Sequence, residues 1–231
     1  VEELARNGYK EVVLTGIHLA SYGRDFRDGT TLLNVLERTK GIDGVRRVRL
    51  GSLEPGFVDE RTAEALAGNE KICRQFHLSL QSGSDTVLRR MNRKYTSAEY
   101  AVAVGLLRAA MPDCAVTTDV IAGFCGETEA EHRETLAFCE RMAFARMHVF
   151  PFSLRQGTKA ASMPGQLTKA VKEARAAELI RLSKQLTDRF LARQIGTVQE
   201  VLVEQDGRGY TGNYAQVQTA GRSGALLRVR I

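Results

Sequence analysis

Cysteine is scarce and scattered in this sequence. The 231 residues hold four, Cys73, Cys114, Cys125 and Cys139, and none stands at the short spacing that builds zinc or iron–sulfur sites. Isolated in this way, they offer no short-spaced metal loop and argue against a disulfide framework, so they read as reduced thiols packed into a fold. Long apolar runs are missing too: no segment approaches the ~18 to 20 residues that cross a bilayer, and no signal-peptide pattern opens the chain. These absences predict a cytosolic protein. There is also no start Met. Val1 to Asn7 reads as the last turns of a helix closed by Gly8, and Leu226 to Ile231 stops inside a strand pattern, which together predict a piece of something longer.

What is present is ordinary for a soluble globular chain: 43% hydrophobic and 26% charged residues, at a length that suits one large domain plus a small one. The formal net charge of +6 and pI near 9.3 favour a polyanionic partner only modestly. Basic residues gather between Lys169 and Arg193, where Lys172, Arg175, Arg181, Lys184 and Arg189 accompany them. A solvated helix face and an RNA-facing one fit this stripe equally.

The order of elements is alternating. Glu11 to Thr15 reads as a strand and Leu32 to Arg38 as a helix; Val45 to Leu50 is a second strand, followed by a helix that Asp59 caps. Phe76 to Leu80, Ala115 to Ala122 and Met147 to Phe152 continue the strands, and Thr96 with Glu99 and Thr128 with Glu131 form capping boxes for two further helices. Such alternation predicts a parallel α/β sheet with right-handed crossovers, and it fits a partial barrel and a doubly wound sheet alike. From Thr168 to Arg193 a long amphipathic helix carries Leu179, Leu182, Leu186 and Phe190 on one face. Beyond Gly196 the texture changes to short strands at 197–203, 210–217 and 226–231, the pattern of a small antiparallel β domain.

Four strand ends in succession carry glycines and polar side chains: Thr15-Gly16-Ile17-His18, Gly51-Ser52-Leu53-Glu54-Pro55, Gln81-Ser82-Gly83, and Asp119-Val120-Ile121-Ala122-Gly123. Each alone is turn chemistry; together they mark a rim where ligands bind in parallel α/β folds. These segments, with Met91-Asn92-Arg93-Lys94-Tyr95-Thr96, Gly123-Phe124-Cys125-Gly126-Glu127-Thr128 and His148-Val149-Phe150-Pro151-Phe152-Ser153, occur in an order that resembles the radical S-adenosylmethionine (SAM) methylthiotransferases. Within that family, Thr15 to His18 and Ser52 to Pro55 look most like the branch that acts on N6-threonylcarbamoyladenosine beside the tRNA anticodon.

The resemblance implies a partial open (β/α) barrel with its linking helix over residues 1–193 and a truncated, TRAM-like antiparallel β domain over 194–231. It implies SAM as cofactor, bound by Gly16, Gln81, Ser82, Asp119, Gly123, Phe150 and Pro151, and tRNA as partner, with unidentified electron and sulfur donors and no membrane. It also implies [4Fe-4S] clusters in the intact enzyme, whose CxxxCxxC ligands this sequence lacks, so the chain alone is expected to be inactive. No residue receives a catalytic role, His18 included; His77, His132 and His148 are read as structural. Cys125 stands where the family has proline. A sister methylthiotransferase acting on isopentenyladenosine or on a ribosomal-protein aspartate, and an RNA-binding piece without catalysis, remain open alternatives.

Overall fold

A computed structural model describes residues 1–205 and 207–231. The chain forms two compact units, one built from Val1–His77, Gly105–Ala115 and Leu191–Ile231, the other from Leu78–Val104 and Val116–Phe190. Its elements run α1 (Glu2–Arg6), β1 (Glu11–Leu14), α2 (Leu32–Thr39), β2 (Arg47–Leu50), β3 (Ser52–Leu53), α3 (Glu60–Ala67), β4 (Gln75–Leu78), α4 (Asp85–Arg90), α5 (Ser97–Ala110), β5 (Ala115–Ala122), α6 (Glu129–Met142), β6 (Arg146–Pro151), α7 (Lys169–Ala192), β7 (Val198–Val203), β8 (Arg208–Thr211), β9 (Gln216–Gln218) and β10 (Leu226–Arg230). The alternation read from the sequence is therefore present, in an α/β fold with an added antiparallel sheet. No helix among the described residues is long and apolar enough to cross a membrane.

In the first unit β1 and β2 pair in parallel, Glu11 opposite Arg47 and Val13 opposite Arg49. All four β2 residues are buried, although two of them are arginines. The reason lies far along the chain. Arg47 donates to the carbonyls of Tyr210, at 2.9 Å, and Glu200, while Arg49 reaches the Gly212 carbonyl at 3.4 Å and lies 4.5 Å from the centre of the Tyr214 ring. Glu11 answers both charges: its carboxylate accepts from Arg49 Nε at 2.9 Å and stands 3.6 Å from Arg47. Two guanidiniums are thus desolvated because Glu11, with Glu200 beside Arg47 and a set of carbonyls, replaces water, the condition under which a buried charge is tolerated.

Those carbonyls belong to the antiparallel sheet, whose strand order is β10-β7-β8-β9. Gly209 on β8 is obligatory, because a Cβ there would stand 2.6 Å from the Leu202 carbonyl oxygen. The sequence pattern predicts one strand over 210–217; the structure breaks it into β8 and β9. Tyr214 takes a left-handed φ of 69°, and Thr211 accepts the Ala215 amide at 2.9 Å, closing a tight turn that alternation alone does not signal.

In the second unit β5 and β6 pair in parallel with Asp119 opposite His148 and Ile121 opposite Phe150. The apolar face of β5, with Val116, Thr118, Val120 and Ala122 at 1% exposure or less, packs toward the helices. Tyr100 of α5 is fully buried there, its hydroxyl donating to the Leu78 carbonyl at 2.8 Å and its ring meeting Phe138 and Phe144 edge-on. Both predicted capping boxes form. Thr96 donates its amide to Glu99 at 2.7 Å, and Thr128 does the same to Glu131 at 2.8 Å.

Candidate functional site

Strand alternation gives β5 and β6 a second face that is not sealed. Asp119 and Ile121 are half-buried on it, and Arg146, His148 and Phe150 of β6 are exposed, Phe150 by 52%. A polar pair beside two apolar side chains on an open sheet face is the kind of surface that takes a ligand with a flat aromatic part and hydrogen-bonding groups. His148, which the sequence assigns to structure, joins this face through its register with Asp119.

The segment after β4 is tied to the same strand. The Gln81 amide donates to the Asp119 carbonyl at 2.8 Å, and the Ile121 amide donates to the Gln81 carbonyl at 2.9 Å. Gln81 itself holds a φ of 68°, rare for a residue with a side chain and worth roughly 1 kcal/mol or more of strain. Those two bonds hold it there. Ser82 points elsewhere: fully buried, its hydroxyl lies 3.1 Å from that of Thr135 and accepts the Ser84 amide at 3.2 Å, stitching the turn to α6. Any ligand contact at Ser82 therefore goes through its backbone. Tyr95 braces the other side, donating to the carbonyls of Ser79 and Leu80 at 2.8 and 3.0 Å.

Gly123 ends β5 with a φ of 74°, and a Cβ there would stand 3.1 Å from the Cα of Lys172 and 2.6 Å from its Cγ. The turn that follows is locked by Glu127, almost fully buried, which accepts the Gly123 amide at 3.0 Å and Arg175 at 2.9 Å. Burial pushes the Glu127 carboxyl above its ordinary range, against the pull of the Gly123 amide and the Arg175 guanidinium. Arg175 is thereby withdrawn from the basic stripe, while Arg189 stays exposed 3.7 Å from Glu140 and Lys172 lies over the Phe152 ring. Cys125 fills an apolar pocket with Val87, Phe124, Met91, Phe152 and Met163, and Gln166 Nε2 lies 3.1 Å from its sulfur.

Of the seven residues the resemblance implies for the cofactor, Gln81, Ser82, Asp119, Gly123, Phe150 and Pro151 fall in the second unit, on the rim of β5 and β6 or the turns beside it. Gly16 lies in the first unit, just after β1, with nothing closer than 3.8 Å to where its Cβ would be.

Glu131 contributes the sharpest electrostatic feature. Arg90 donates to both its oxygens, at 3.0 and 2.7 Å, and the Thr128 amide adds a third bond. Arg90 foremost draws its carboxyl down to about 2, against burial. A depressed acid stabilises the fold above its ordinary pKa and loses that contribution as pH falls through the folded value. Glu131→Gln is therefore expected to cost about 2 kcal/mol at pH 7 and to converge on the parent as the pH approaches 2, measured by urea unfolding across that range.

The thiols offer no cluster site. Burial pushes Cys73 and Cys139 up to about 12 and Cys114 to about 11, and among the described residues no group of three His, Cys, Asp or Glu side chains could hold a metal ion. Residues 1–139 match the model of the radical SAM superfamily. The chain belongs to the radical SAM superfamily. Its curated relatives include the threonylcarbamoyladenosine tRNA methylthiotransferase of Bacillus subtilis, 39% identical over all of this chain and 54% of that protein. They also include the tRNA-2-methylthio-N(6)-dimethylallyladenosine synthase of Thermoanaerobacter sp., 39% identical over 88% of this chain and 43% of that protein. The chain spans about half the length of these relatives. Among solved structures, coproporphyrinogen III oxidase of Escherichia coli superposes with a TM-score of 0.59 at 13% identity, covering 77% of this chain and 40% of that one, which shows a shared radical SAM fold. This radical SAM chain thus holds a rim compatible with SAM, while an iron–sulfur cluster does not fit its own cysteines.

Proposed function

We propose that this chain is the SAM-binding core of a tRNA methylthiotransferase that places a methylthio group on C2 of N6-threonylcarbamoyladenosine next to the anticodon, acting in the cytoplasm. The carrying observation is the whole-chain likeness to a relative named for that nucleoside, and the open rim of β5 and β6 supports it. In the complete enzyme, SAM with a reduced cluster supplies the one-electron chemistry that opens an unactivated C–H bond.

The chain's own residues would position the reactants. The side chain of Gln81 and the backbone of Ser82 and Gly123 would approach SAM, Asp119 would accept from its hydroxyl or amino groups, and Phe150 with Pro151 would cover the adenine. Gly16 would leave room for the methionyl end. The antiparallel sheet over 194–231, read as TRAM-like, would hold tRNA phosphates together with the exposed Arg208, Arg228 and Arg230. The dimethylallyladenosine reading stays in view because relatives of that name reach the same 39% identity. Equilibrium dialysis with labelled SAM tests the site. Asp119→Ala and Gln81→Ala in the complete enzyme are each expected to weaken SAM binding about tenfold; unchanged affinity at both positions rules the site out.

A further inference from the structure

A cleft of 530 Å³ opens in the first unit between the 20–34 segment and the 54–62 segment, lined among others by Tyr22, Arg24, Asn34, Glu54, Phe57 and Arg61. It lies at the ends of β1 and β3 from which the polar turns issue. The volume is within the ~300 to 1,000 Å³ range of small-ligand pockets.

Its walls are preformed. A Cβ on Gly23 would stand 2.1 Å from the Thr30 carbonyl oxygen, so the loop folds back on itself backbone against backbone, and Asp28 fixes the return by accepting the Thr30 amide at 2.8 Å. Tyr22 is 44% exposed and is held edge-on by Phe26 at 5.6 Å between ring centres, which leaves a face of an ordered aromatic ring to solvent. Arg24 and Arg61 are exposed, and Arg61 exerts a Coulombic pull on the Asp59 carboxylate beside it. The two carboxylates nearby are already committed: Asp59 accepts the Thr62 amide at 2.7 Å, and Glu54 lies 3.3 Å from His18 Nδ1. The α3 end is thus satisfied by its own cap, and the cation supply in the cleft is the two arginines.

We propose that this cleft is a subsite for a nucleotide of a single-stranded RNA loop, its base stacked on Tyr22 and its phosphate held by Arg24 and Arg61. Glu54 and Asn34 line the same space, the Asn34 Oδ1 already accepting the Thr31 amide at 2.8 Å. An exposed aromatic ring beside exposed guanidiniums is the pairing that binds single-stranded nucleic acid, stacking giving contact with any base and the cations giving salt dependence. The inference rests on the reading of tRNA as substrate and extends it to a second nucleotide.

The test is fluorescence anisotropy of this chain with a labelled, unmodified anticodon stem-loop RNA, titrated at several salt concentrations. Arg24→Ala with Arg61→Ala is expected to weaken binding about tenfold or more and to lower the salt slope by about 1 to 2. Tyr22→Ala is expected to weaken it about 5- to 100-fold with the slope unchanged, and Tyr22→Phe to bind as the parent does. Arg133→Ala on α6, an exposed cation outside the cleft, serves as control. Parent-like affinity in the double arginine variant, equal loss in Tyr22→Ala and Tyr22→Phe, or no RNA binding by the parent chain would each overturn the subsite. The SAM titration is independent of all three, so the subsite can fail while the enzymatic reading stands.

Discussion

Glu11→Ala is expected to cost the fold about 3 to 5 kcal/mol, the range found when one partner of a buried ion pair is removed. Glu11 is the carboxylate between Arg47 and Arg49, which are 5% and 6% exposed. Without it the two guanidiniums keep backbone carbonyls, Gln75 and the Tyr214 ring, and Arg47 keeps Glu200 at 3.5 Å, but Glu200 is 40% exposed and a weaker counter-charge. A domain is stable by roughly 5 to 15 kcal/mol in total, so the loss is a large fraction. Urea unfolding followed by circular dichroism measures it, and Glu11→Gln, which keeps shape and hydrogen bonding, should fall between the variant and the parent. A loss under about 1 kcal/mol would show that Arg47 and Arg49 are not held as described.

Gly83→Val is the second large effect, at about 3 kcal/mol or more. A Cβ at Gly83 would stand 2.6 Å from the Phe138 Cβ and 2.9 Å from the Thr135 Cα, and the latter is helix backbone that cannot swing aside. Overpacking of this kind costs about 1 to 3 kcal/mol for smaller insertions, and valine adds two methyls. The damage should spread to ligand binding, because relief requires the 81–83 turn to lift from α6, breaking the Gly83 amide bond to Thr135 at 3.2 Å and disturbing Gln81. Gly105→Ala on α5 is the counterpart: nothing lies within 4 Å of its Cβ position, and the helix gains roughly 0.8 to 1 kcal/mol of propensity. Thermal unfolding and SAM dialysis on both variants separate crowding from a general intolerance of glycine replacement.

What could be read in the sequence was local. The boxes of Thr96 with Glu99 and Thr128 with Glu131 need only neighbouring residues, and both are present. Leu179, Leu186 and Phe190 are buried on α7 as their helical spacing implies, with Leu182 at the margin. What could not be read depends on partners distant in the chain. Arg47 and Arg49 sit on an alternating strand that looks half-solvated, and the Glu11 carboxylate on the neighbouring strand with carbonyls more than 150 residues later makes their burial tolerable. Ser82 shows the same limit at the site: its place after β4 was legible, but its side chain turns toward Thr135, 53 positions on, which no spacing reveals. His148, a lone histidine in a short strand, carries no motif, and only the β5–β6 register sets it opposite Asp119.

Mass spectrometry of tRNA nucleosides addresses the central claim most directly, using the complete enzyme that carries this chain, a reductant, SAM and tRNA containing threonylcarbamoyladenosine. The account predicts a methylthio adduct on that nucleoside which the Asp119→Ala enzyme fails to make. No adduct on threonylcarbamoyladenosine, with one on dimethylallyladenosine when tRNA carrying that nucleoside is supplied instead, or full product from the Asp119→Ala enzyme, would contradict it.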